Sequence, residues 1–255
     1  MARDVWRASA RVEGSSSGDE HFCLVRDGEV APLGEALGAL DDLAVAVSES
    51  AAGRVLRDLT LSADVTDSVA PPRTDTLHVR FAALDARGAS AALGTVAEMA
   101  ERVYSGRGAG EKTAGPPANL WTAWGRPRGT WPRASDTGWW SLACWFAGVP
   151  EGDSRARSIR WEREGDDLGG ALGALVAASK EAGGVRWVTE SSYSFFDVRA
   201  DLRRYPPNPS GSAHVRFSPR DRLLVICRRV AGLQSALVAL EAIGDAAELV
   251  YGDDA

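Results

Sequence analysis

Two short stretches pair a histidine with an arginine at alternate positions: His78-Val79-Arg80-Phe81 and His214-Val215-Arg216-Phe217. Together they use two of the three histidines in the chain. In an extended strand alternate side chains share a face, so His78 and Arg80 point one way and Val79 and Phe81 the other, with the same split for His214 and Arg216. If two such strands met, their imidazoles and guanidiniums would line a pocket for a polar or anionic substrate, with histidine as acid or base. A plainer reading carries more weight, namely the solvent sides of two half-buried strands, because the sequence offers no matched carboxylate to orient either ring.

The other chemistries are weaker. His21-Phe22-Cys23 offers two metal ligands, while Cys144 and Cys227 stand outside any short ligand pair and read as buried thiols. Gly14-Ser15-Ser16-Ser17-Gly18 reads as a mobile polar loop and lacks the strand-turn-helix setting of a nucleophile elbow. Asp41-Asp42, Asp166-Asp167 and Asp253-Asp254 are adjacent pairs, which diverge on a helix and so make surface charge or caps. Gly34 and Gly38, echoed by Gly169 and Gly173, fall inside helical segments, where a phosphate cradle does not form; close approach to a neighbouring helix is the expected reason for them. No cofactor and no metal is expected.

Aromatic residues supply the last signal. Of nine tryptophans, Trp121, Trp124 and Trp131 sit with Arg126 and Arg128 in a Gly/Pro-rich stretch, the composition of an interaction surface. Ser105 to Pro117 is expected to be mobile and Asn119 to Trp131 to pack against a lobe.

Composition narrows the classes. Nearly all basic residues are arginine, which with abundant Ala and Gly points to a GC-rich bacterial genome. Three cysteines and the lack of a leader or long apolar run predict a soluble, cytoplasmic protein with no membrane partner. The net charge of −6 is uneven: residues 1–104 carry −7, residues 105–134 carry +4 and the remainder −3. An acidic body disfavours nucleic acid and favours a basic partner.

The elements that must position these residues recur. Leu33-Gly34-Glu35-Ala36-Leu37-Gly38-Ala39-Leu40 returns as Leu168-Gly169-Gly170-Ala171-Leu172-Gly173-Ala174-Leu175; Pro71-Pro72 returns at Pro206-Pro207, and Trp6 and Gly14 return at Trp140 and Gly148. Period-2 and period-3.6 patterns give strands at 4–12, 22–26, 55–65 and 76–84, with helices from Pro32 and from Ala92. The second half reads as strands at 139–146, 158–161, 187–198 and 213–217, an extra strand at 223–230, and helices from Asp167 and Leu233. This predicts an α+β fold: a tandem duplication of a ββαββα unit, a ferredoxin-like permutation, as two pseudo-symmetric lobes with antiparallel sheets and helices on one face. The expected units are residues 1–104, a basic connector 105–134 and residues 135–255. Edge-to-edge and face-to-face joining of the lobes both fit the pattern.

With no catalytic constellation, the function expected is a non-catalytic protein-binding module, such as an immunity- or inhibitor-type protein masking a basic toxin or enzyme. Its contacts would be the acidic first lobe and the connector residues Trp121, Trp124, Arg126, Arg128 and Trp131. The alternative is an enzyme of specialised metabolism using His78, His214, Arg80 and Arg216 between the lobes.

Overall fold

Alternating burial defines eight strands and helical periodicity four helices among the described residues. A computed structural model of the chain describes residues 5–16, 20–67, 76–105, 139–188, 195–205 and 221–252. In chain order the elements are β1 (Trp6–Ser16), β2 (His21–Asp27), α1 (Leu33–Ala51), β3 (Leu56–Asp67), β4 (Thr76–Leu84) and α2 (Ala86–Tyr104). They are followed by β5 (Trp139–Gly148), β6 (Arg157–Gly165), α3 (Leu168–Gly184), β7 (Phe195–Tyr205), β8 (Asp221–Ala231) and α4 (Leu233–Tyr251).

All eight strands form one antiparallel sheet in the order β2-β1-β3-β4-β8-β7-β5-β6. The halves of the chain are therefore joined edge to edge, through β4 and β8, with Val79 opposite Val225. Along β4, Leu77, Val79 and Phe81 are wholly buried; on β8 Leu223, Val225 and Cys227 are their counterparts. These residues form one apolar cluster with the inward faces of the helices. The helices make a packed series in which α1 meets α2, α2 meets α4 and α4 meets α3. Burying each large aliphatic or aromatic side chain in that cluster contributes roughly 1.5–3 kcal/mol.

Local chemistry sets the helix ends. Asp167 caps α3 by accepting the Gly170 N–H, and Asp85 caps α2 by accepting from Gly88 at 2.7 Å. Arg102 of α2 ties the middle of the helical layer to α4, at 2.8 Å from Asp245 and 3.1 Å from Glu241.

Three expectations need correction. Gly14 to Ser16 continue β1 rather than forming a loop, because Gly14 admits a close crossing by β3: a Cβ there would lie 2.7 Å from Leu59 Cδ2. Gly34 and Gly38 are not contact points between helices, since a Cβ at either meets nothing within 4 Å. The strand expected at 187–198 is β7 at Phe195–Tyr205, and Trp187 makes only an isolated bridge to Pro150. The strand expected at 223–230 is present as β8, in the centre of the sheet, because it alternates Leu223, Val225 and Cys227 into the core, while 213–217 lies outside the described residues.

Candidate functional site

The polar face of the sheet is built by the strand residues that alternate with the core. On β4, His78 is half-buried and Arg80 exposed, sharing a face opposite Val79 and Phe81 as alternation requires. Register then carries a single row across seven strands: Ser9, Asp64, His78, Ile226, Arg199, Trp145 and Arg160.

Two features of that row have chemical content. Asp64 Oδ1 stands 2.8 Å from His78 Nδ1, so a carboxylate does orient this ring, contrary to expectation. The β3–β4 register sets Asp64 directly opposite His78. Further along, the Trp145 ring lies between two guanidiniums, Arg199 at 4.9 Å and Arg160 at 5.1 Å from its centroid. Each such contact is worth roughly 0.5–1 kcal/mol at an exposed site.

A second row carries Arg80, Leu224 and Asp201. Asp201 is 4% exposed and is held by two arginines, Arg203 with Nε at 3.0 Å and Arg222 with Nε and Nη2 each at 3.1 Å. Burial by itself would raise its carboxyl, but the hydrogen bonds and charges of Arg203 and Arg222 outweigh it and hold it below the usual range. Sequence reading missed this cluster because its three members come from two strands 21 residues apart.

The remaining site residues separate. Opposite His78 and Arg80, β8 presents Ile226 and Leu224, so the described residues bring no second histidine to this row. His214 and Arg216 lie outside the described residues, as do Trp121, Trp124, Arg126, Arg128 and Trp131. Cys144 and Cys227 are buried, which pushes both thiols up to about 12. Cys23 differs, standing exposed on β2. Among the described residues no three His, Cys, Asp or Glu side chains gather as metal ligands. A groove of about 470 Å³ runs between the start of α2 and the end of α4, past Leu84, Arg87, Ala91, Glu248 and Leu249.

No helix among the described residues is long and apolar enough to cross a membrane. No protein-family model, curated protein or solved structure matches the chain.

Proposed function

We propose that this chain is a non-catalytic protein-binding module of the immunity or inhibitor type, which masks a basic partner with an acidic helical surface. One observation carries the reading: on α1, Glu35, Asp42 and Glu49 recur every seven residues and share a stripe with Val45, which is 58% exposed. Asp41 flanks the stripe, and α1 contains no Lys or Arg. The helix thus offers four carboxylates, of which Asp42 is paired with Arg26 of β2 at 2.7 Å. Helix α4 also carries only acidic charge, Glu241, Asp245 and Glu248, but Glu241 and Asp245 are already held by Arg102 of α2. Carboxylates around an exposed aliphatic side chain suit a basic surface with an apolar centre, and charge complementarity of this kind speeds association. The connector residues Trp121, Trp124, Arg126, Arg128 and Trp131 form the second part of the contact in this proposal.

The same reading takes the chain as a tandem duplication of a ββαββα unit, a ferredoxin-like permutation, with all four helices on one face of the joined sheet. Matching bulges support it. Between Leu59 and Leu61 the β3–β4 pairing shifts by one residue at Ala83, φ 62°, and between Phe196 and Val198 the β7–β8 pairing shifts alike at Arg229, φ 52°. Trp6 packs on Tyr104 at 5.1 Å, and Trp140 on Tyr251 at 5.9 Å. Gly14 is crossed by Leu59, and Gly148 by the ring of Phe196, at 2.7 Å from an added Cβ in both cases. On this alignment β8 replaces 213–217 as the counterpart of β4, and Leu224 answers to His78.

The test is affinity capture with the wild-type chain and with a Glu35→Lys, Asp41→Lys, Glu49→Lys variant, read by mass spectrometry. A stoichiometric partner of basic pI that is held by the first and lost by the second is expected; equal recovery on both counts against the reading.

The Asp64–His78 pair favours a second reading, an enzyme in which His78 acts as acid or base beside Arg80, with His214 and Arg216 completing the pocket. Partner binding and biological activity that survive intact in His78→Ala would remove it.

A further inference from the structure

The two outer edges of the sheet differ in how they are protected. Strand β6 places Arg157, Arg160, Glu162, Arg163 and Glu164 along one edge, five charges in nine residues. Charge of this density blocks strand addition. Strand β2 at the other edge begins His21-Phe22-Cys23-Leu24-Val25, with no Asp, Glu, Lys or Arg until Arg26. Cys23 is exposed and Val25 is 59% exposed. A short apolar run of high β-propensity on an open edge pairs with other chains unless something covers it.

Backbone direction shows which groups of β2 are open. Gly28 N–H donates to the Ala8 carbonyl at 2.8 Å at one end of the β1–β2 ladder, and Ser16 N–H donates to the Glu20 carbonyl at 2.9 Å at the other. Hydrogen-bonded pairs alternate along an antiparallel ladder, so Phe22, Leu24 and Arg26 turn their N–H and C=O groups toward β1. His21, Cys23, Val25 and Asp27 turn theirs outward, and among the described residues no strand meets them.

We infer that β2 is a self-complementary edge whose occupant is the β2 strand of a second copy of this chain. An antiparallel pair centred on Leu24 opposite its symmetry mate sets Cys23 against the partner's Val25 and His21 against the partner's Asp27. This register pairs every outward N–H and C=O of the strand. It also matches an imidazole to a carboxylate at both ends, with the exposed Cys23 and Val25 filling the middle. Among the described residues Asp27 meets only Arg7, in a loose contact at 3.8 Å. The seam between β4 and β8 is the internal precedent, an antiparallel edge pair centred on one aliphatic residue opposite another, Val79 and Val225. In the dimer the sheet runs on through both copies and each acidic α1 is presented twice.

The experiment uses the full chain. Sedimentation velocity over a concentration series is expected to give a species of twice the 27.0 kDa chain mass. Val25→Pro removes an outward N–H and spares the β1 ladder, so it should keep the wild-type circular dichroism and sediment at half the dimer mass. Val25→Cys puts a thiol opposite the partner's Cys23 at the spacing of a hydrogen-bonded pair, about 5.5 Å between Cα atoms, within disulfide reach. Mild oxidation should convert most of that variant to a covalent dimer, and Cys23→Ser in the same background should abolish the cross-link. A wild-type chain that stays monomeric, alone or with β2 taken by another protein's strand, overturns the inference. So does a dimer that survives Val25→Pro and yields no Val25→Cys cross-link.

Discussion

The Tyr251 hydroxyl at the end of α4 lies 3.0 Å from the Ala82 carbonyl of β4, in the other half of the chain, and 2.7 Å from the Arg222 carbonyl. Tyr104, at the end of α2, reaches across the same seam to the Arg228 carbonyl of β8 at 3.3 Å. Each half thus places a phenol on the strand of the other. Burial raises the Tyr251 hydroxyl above its ordinary value, so it stays a donor at physiological pH.

Removing that hydroxyl tests the seam. Tyr251→Phe removes the one O–H donor that faces both carbonyls and the acceptor of the Ala82 N–H, and should cost about 1–2 kcal/mol. Tyr104→Phe breaks the longer bond and should cost less. Urea unfolding of the two variants, with unchanged m-values, is the measurement.

Asp201→Asn should destabilise by about 2 kcal/mol, since Arg203 and Arg222 lose the carboxylate they share while keeping partial access to water. The wild-type carboxyl sits lower in the folded chain than its unfolded value of ~3.9. Its contribution is therefore complete above about pH 5 and disappears as the pH falls through the folded value. Stability profiles of wild type and Asp201→Asn should accordingly converge at acid pH; parallel profiles would contradict the assignment.

Gly38→Ala and Gly94→Ala should each stabilise by roughly 0.5–1 kcal/mol. Both positions are helical, neither has a positive φ, and an added Cβ meets nothing within 4 Å. A combined rise of a few degrees in Tm is expected.

Thiol reactivity should separate the cysteines. Exposed Cys23 is expected to react with an aromatic disulfide reagent in the native protein, while Cys144 and Cys227, pushed up to about 12, should react only on unfolding. A Cys23→Ser variant with no fast phase would bear this out.

Much of the site depended on partners that lie far apart in sequence. The shared face of His78 and Arg80 was legible because alternation is local. Asp64 was not, because its place opposite His78 depends on where the β3–β4 hairpin turns. Gly34 and Gly38 misled: an Ala/Gly-rich helix repeats glycine without needing close contact, and both stand clear of neighbours. The second His-Val-Arg-Phe stretch lies outside the described residues, and β8 pairs with β4 because Leu223, Val225 and Cys227 alternate into the core.

What the amino-acid order determined alone was periodicity: which residues of β4, β5 or α1 face inward, where Asp167 ends a loop and begins a helix, and how acid collects on α1. These are properties of neighbours within a turn or a pleat. Only the tertiary structure decided that β4 pairs with β8, that Asp201 takes two arginines, and that β2 is left as an edge. Such pairings join residues distant along the chain, and their free energy depends on whole faces meeting in one register, which no local pattern encodes.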